Sequence, residues 1–129
     1  MKKPVAAAVV HLDGKILTTR RSPDQSLACL WGFPGGKLEH EKSPQECIFR
    51  ELREELGVDS VAGEIITTTT YAYPGGEIEL IAITVELQST QFNLQFHDRF
   101  DWVQPQEILQ YNLAPADIPI AQEIIRKYG

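Results

Sequence analysis

The stretch from Gly35 to Val58 constrains the chain more than any other. Within it Glu51, Glu54 and Glu55 stand at i, i+3 and i+4, directly after Arg50. On a helix of 3.6 residues per turn, positions three and four apart share a face. The boundaries of such a helix are legible. Ser43 is a good N-cap, Pro44 suits the first helical position, and Glu46 closes a Ser-x-x-Glu capping box. Gly57 is a natural stop. The spacing predicts a helix over 43–56. Ile48, Phe49, Leu52 and Leu56 then form an apolar stripe that packs on the core. The three glutamates take the neighbouring sector, between core and solvent, with Arg50 and Arg53 further round.

Three converging carboxylates repel one another unless a cation sits among them. Hard divalent cations such as Mg²⁺ bind oxygen ligands, usually a few carboxylates plus phosphate oxygens. The competing reading is a solvated helix face held by ion pairs. The preceding turn, Trp31-Gly32-Phe33-Pro34-Gly35-Gly36, favours the first. Its glycines allow a close backbone approach to a ligand. Together the turn and the helix read as a metal site for a phosphate-bearing substrate.

The segment resembles the Nudix box. Gly36 fills its opening position, and Arg50, Glu51, Leu52, Glu54, Glu55, Gly57 and Val58 fill its tail without a gap. The flanks resemble the MutT-type nucleoside triphosphate pyrophosphohydrolases, most closely the branch that acts on CTP. The shared parts are Asp13 to Leu17, Arg20-Arg21, Leu30 to Gly36, and Leu113 to Pro119. Two departures stand out. The isolated glutamate of the box is Lys42 here, with Glu41 one step early. A further family glutamate, six residues before Trp102, is Phe96, followed by His97 and Asp98.

The resemblance implies an α+β fold, the Nudix α/β/α sandwich with a mixed sheet. It implies a Mg²⁺-dependent hydrolase, with Mn²⁺ as a substitute, that splits an NTP or dNTP into the monophosphate and pyrophosphate. CTP or oxidised and hydroxylated nucleotides are the expected substrates. The implied metal ligands are Glu51, Glu54, Glu55 and the Gly35 carbonyl, with Arg50 orienting Glu51. Glu51 or Glu54 would take the proton from the attacking water. Two alternatives stay open. One is a Nudix pyrophosphatase for nucleotide sugars or dinucleoside polyphosphates. The other is a non-catalytic nucleotide-binding module, for which Lys42 and Phe96 speak.

At 129 residues the chain reads as one domain, 1–129, large enough for a core. Lys and Arg number 12 against 18 Asp and Glu, a formal charge of −6. Such a balance argues against a nucleic-acid polymer as partner, though not against a short phosphate chain held through a metal. Cys29 and Cys47 have no metal-ligand spacing and read as reduced thiols of a cytoplasmic protein. The apolar run after Met1-Lys2-Lys3 is shorter than a secretory leader, and His11 and Asp13 interrupt it. No stretch is long enough to span a membrane. The oligomeric state is not encoded in any pattern.

Residues 4–12 and 15–20 read as a hairpin over Asp13-Gly14. Residues 64–73 and 77–88 read as a second hairpin over Pro74-Gly75-Gly76. A short strand is expected at 100–103, a short helix from Pro105, and a terminal helix over 118–127 with Ala121, Ile124, Ile125 and Tyr128 on one face.

Four substrate contacts are expected. Only one of Arg20 and Arg21 can face the site, since neighbouring strand residues point to opposite faces. The resemblance favours Arg20, whose planar fork suits phosphate. Lys37 follows the double glycine and is placed to touch phosphate or simply to be solvated. Phe33 is expected in the base pocket, and Trp31 in the core. Asp117 is either a base-reading acceptor or an N-cap of the terminal helix.

Overall fold

The computed structural model describes residues 2–24 and 28–129. Met1, where the leader-like stretch begins, lies outside them. The strands are β1 (Lys2–Val9), β2 (His11–Leu12), β3 (Lys15–Arg21), β4 (Trp31–Gly32), β5 (Gly35–Lys37), β6 (Ser60–Tyr73), β7 (Gly76–Leu87) and β8 (His97–Val103). The helices are α1 (Pro44–Leu56) and α2 (Ile118–Tyr128). Short 3-10 turns cover Pro105–Gln110 and Pro115–Asp117.

The strands form two sheets among the described residues. The first runs β5-β1-β7-β6, and the second joins β2, β3 and β4, with β8 also paired to β3. The first sheet is mixed. β1 lies parallel to β7, with Ala7 opposite Ala82, and antiparallel to β5, with Ala7 opposite Gly35.

Strand β1 sorts the core. Successive side chains leave a strand on opposite faces. Ala6, Ala8 and Val10 therefore pack with Ile48, Leu52 and Leu56 of α1. Ala7 and Val9 pack with Ile120, Ala121 and Ile124 of α2. One helix covers each face, which gives the expected α/β/α sandwich. Full burial of each Leu or Ile contributes about 1.5–3 kcal/mol, and Ile48, Leu52, Leu56, Ile120 and Ile124 are all fully buried.

The first hairpin differs from expectation. Asp13 (φ 52°) and Gly14 (φ 78°) do form a tight turn between β2 and β3. Residues 4–9, however, leave that hairpin and pair in parallel with β7. The reason is burial on both faces, which favours a central strand with a parallel neighbour over a half-exposed hairpin arm. The second hairpin forms as expected, with β6 beginning at Ser60.

Helix α1 starts and stops where its caps require. The Ser43 hydroxyl accepts from the Glu46 N–H at 3.2 Å, and Gly57 ends the helix at φ 70°. Its orientation differs in one respect. Phe49 is 41% exposed beneath the Arg53 guanidinium, and Cys47 takes the buried place instead. The helix is thus rotated toward the row Cys47, Glu51, Glu55. That rotation carries two glutamates into the interior.

Candidate active site

Glu51 and Glu55 are 9% and 5% exposed, far below what carboxylates normally tolerate. The double glycine makes room for them. A Cβ at Gly36 would collide with the Glu51 carboxylate, and one at Gly35 with the Ala6 carbonyl. The Gly35 N–H donates to Glu55 Oε1 at 3.2 Å. The turn and the helix are therefore one unit, each shaped around the other.

Arg50 ties the cluster together. Its guanidinium donates to Glu51 Oε1 at 3.0 Å and to Glu54 Oε2 at 3.3 Å. It also donates to both oxygens of Glu41, at 3.1 and 2.9 Å, and to the Lys37 carbonyl at 3.1 Å. The Arg50 contact pulls the Glu41 carboxyl down to about 2. Glu41 thus holds Arg50 from one residue before the place where the resemblance expects a glutamate. Lys42 needs no replacement partner for Arg50.

Glu55 behaves in the opposite way. Burial first, and the adjacent Glu51 second, raise its carboxyl far above the ordinary range. Two buried carboxylates thus stand side by side and repel one another. Glu54 is more exposed, with its side chain 53% accessible. Among the described residues no three His, Cys, Asp or Glu side chains converge into a ready-made metal cage. The donor set nevertheless fits a hard divalent cation. It is all oxygen, and the repulsion between the buried Glu55 and its neighbour Glu51 is what such an ion relieves.

A cavity of about 730 Å³ opens in front of this cluster. Glu51, Glu55, Gly35, Gly36 and Lys37 line it, as do Phe33 and Asp117. Its volume suits a nucleotide-sized ligand. Phe33 is 8% exposed and doubles as core and cavity wall, and Trp31 also borders the cavity.

Asp117 stands ahead of α2 but makes no side-chain cap bond to it. Its carboxylate lies instead against Gly32, within the cavity wall. Burial raises it to about 7, opposed by the positive charge of Arg21. The N-cap alternative for Asp117 is therefore not what its side chain does.

Arg20 requires a correction. It does not line the cavity. It forms a two-point ion pair with Asp98, Nε to Oδ1 at 2.9 Å and Nη2 to Oδ2 at 2.6 Å. Arg21 lines the cavity in its place. Its charge lowers the Glu55 and Asp117 carboxyls and discourages protonation of His97. The reason is a register shift in the β3–β8 ladder between Arg20 and Arg21, which sets Arg21 opposite His97. A bulge of this kind has no signature in a run of two arginines.

Other cavity residues escaped the sequence reading. Tyr71 and Tyr73 border it from β6. Their alternate spacing beside a Pro-Gly-Gly turn was the available signal. His97 borders it too, 6% exposed, with an imidazole Nδ1 that has no hydrogen-bond partner among the described residues. Burial and Arg21 hold it down to about 4, so it is neutral at physiological pH. Phe96 is exposed at the cavity, where the resemblance expects a carboxylate.

The NUDIX domain family matches residues 2–124. The chain belongs to the Nudix family. It is 40% identical over 118 residues to the CTP pyrophosphohydrolase of Escherichia coli K12, covering 92% of this chain and 87% of that protein. It is 31% identical over 80 residues to the 8-oxo-dGTP diphosphatase of Proteus vulgaris, covering 61% of this chain and 71% of the relative. The solution structure of the E. coli ORF135 protein superposes with a TM-score of 0.86 at 38% identity, over 98% of this chain and 91% of that one. Nudix hydrolases work with a divalent cation and act on nucleotide substrates. No helix among the described residues is long and apolar enough to cross a membrane.

Proposed function

We propose that this chain is one Nudix domain that hydrolyses a nucleoside triphosphate to the monophosphate and pyrophosphate, with Mg²⁺ as its ion. Cytosine nucleotides such as CTP, or oxidised and hydroxylated nucleotides, are its substrates. One observation carries this reading: a single cavity takes in both the Glu51–Glu55 pair beside Gly36 and Asp117 beside Gly32. Acidic groups for a cation and a polar reader for a base share one nucleotide-sized space. The names of the relatives, a CTP pyrophosphohydrolase and an 8-oxo-dGTP diphosphatase, support the same class.

Glu51, Glu54, Glu55 and the Gly35 carbonyl would hold the ion. Bound there, a divalent cation supplies charge neutralisation for the polyphosphate and acidifies water. Arg50, itself held by Glu41, keeps Glu51 in place. Glu51 or Glu54 takes the proton of the attacking water. Arg21 and Lys37 receive the phosphate chain, which fixes it for in-line attack. Phe33 and Trp31 wall the base, and Asp117 accepts hydrogen bonds from its edge. The formal charge of −6 fits a short phosphate chain better than a nucleic-acid polymer. We place the protein in the cytoplasm.

The test is a panel of nucleotides incubated with Mg²⁺. Phosphate that appears only after inorganic pyrophosphatase is added marks release of pyrophosphate. Direct release of phosphate, or hydrolysis of nucleotide sugars alone, would overturn the reading.

A further inference from the structure

Buried polar atoms in folded chains find a partner, and one that does not asks for a reason. Among the described residues three buried side-chain atoms have none: Ser60 Oγ, Thr69 Oγ1 and His97 Nδ1. Of these residues His97 alone borders the cavity. It is also the one residue of β8, among those described, that does so.

The backbone fixes its place from two sides. The Asn93 N–H donates to the Leu56 carbonyl at 2.8 Å and the Gln95 N–H to the Glu55 carbonyl at 3.1 Å. These bonds tie the approach to β8 to the end of α1 that carries the buried glutamates. The Ser22 N–H donates to the Phe96 carbonyl at 3.1 Å, which ties it to the end of β3. Past the bulge, His97 stands opposite Arg21 in the ladder. Arg20 and Asp98 pair with each other and do not border the cavity, whereas Arg21 and His97 both do. His97 is therefore held between the helix of Glu55 and the arginine that receives phosphate.

Its chemistry suits that place. Burial, and the positive charge of Arg21, keep the imidazole uncharged at neutral pH. An uncharged imidazole carries one N–H donor, and ionised phosphate oxygens only accept. Phe96, next to it at the cavity, has no polar atom to offer.

Resting on the reading of the cavity as a nucleotide site, we propose that His97 is a further substrate-binding residue, whose imidazole N–H donates a hydrogen bond to the phosphate chain beside Arg21. The ligand then supplies the partner that the fold withholds. In this chain β8 meets the substrate through a hydrogen-bond donor, where the resemblance leads one to expect a carboxylate just before it.

The experiment measures the affinity of inorganic pyrophosphate, in Mg²⁺, by calorimetry, together with the Tm of each free protein. His97→Phe keeps a ring but removes both nitrogens. It should weaken pyrophosphate binding by about tenfold, the scale of one hydrogen bond to a charged group. Its Tm should be equal or higher, because the buried polar atom without a partner is gone. His97→Asn places an amide donor near the position of Nδ1 and should retain most of the affinity. If His97→Phe does not fold, His97→Ala takes its place and should show the same loss of affinity.

Unchanged pyrophosphate affinity in the folded Phe or Ala variant would overturn the assignment. So would an Asn variant as weak as the Phe variant, which would make shape rather than hydrogen bonding the cause. The measurement needs no turnover. If the unaltered protein binds pyrophosphate but hydrolyses none of the triphosphates, the reading of the reaction falls while the contact at His97 is still decided.

Discussion

Glu41 grips Arg50 through both carboxylate oxygens, and Arg50 in turn reaches Glu51 and Glu54. The loop ahead of α1 thereby sets the position of glutamates one and four residues beyond the arginine. Glu41→Gln should lower kcat by about tenfold or more while leaving KM nearly unchanged, since one charge-assisted partner of a positioning residue is lost. Lys42→Glu should change little, because the partner of Arg50 is already in place. Steady-state kinetics of the two variants check this. A strong gain from Lys42→Glu would instead mean that the displaced glutamate is a real deficit.

The buried pair Glu51 and Glu55 makes a prediction about stability. The Glu55 carboxyl is raised in the folded state relative to the unfolded chain. The folded protein then holds the proton more tightly, so stability falls as pH rises from the unfolded carboxylate value through the folded one. Glu55→Gln should therefore raise the Tm at pH 8 in the presence of chelator. It should also remove nearly all turnover. Mg²⁺ should raise the Tm of the unaltered protein and have much less effect on the variant. Thermal melts with EDTA and with Mg²⁺ decide it.

Activity should disappear in excess EDTA and return with Mg²⁺ or Mn²⁺, because every proposed donor is a hard oxygen. Glu54→Gln should also lose nearly all turnover with the fold intact, whereas Glu46→Gln, at the capping end of the same helix, should barely affect it. Equal losses at both positions would count against the site.

Arg21 and Arg20 should behave differently despite their adjacency. Arg21→Gln should raise KM for nucleoside triphosphates by about tenfold or more, the cost of a charge-assisted contact to phosphate. Arg20→Gln breaks only the exposed pair with Asp98 and should leave KM within about twofold. Titration of both variants with one nucleotide checks the assignment.

Asp117 predicts a pH-dependent choice of base. Its carboxyl is raised to about 7, so it is largely protonated at pH 6 and largely ionised at pH 8. The acid form offers one donor and one acceptor, which matches the N3 and amino edge of cytosine. The ionised form only accepts, which matches the N1–H and amino edge of guanine. The ratio of kcat/KM for CTP to GTP should fall as pH rises from 6 to 8. In Asp117→Asn it should be flat over that interval.

Much of this protein was legible in the order of its residues. The helix with its caps, the turn of two glycines and the three glutamates follow from local chemistry. Backbone preference and i, i+3, i+4 spacing act over a few residues and leave their mark in sequence. The sandwich was implied by the resemblance, whereas the central place of β1, read from sequence as a hairpin arm, came from its parallel pairing with β7. The tertiary structure decided the rest. Whether Phe49 or Cys47 faced the core depended on how α1 rolled against β1. The choice of Arg21 over Arg20 depended on a bulge in the ladder with β8. The role of Asp117 depended on Trp31 lacing a segment some eighty residues downstream against Gly32. Each of these is a contact between distant parts of the chain, set by packing and register, which no local pattern of side chains can specify.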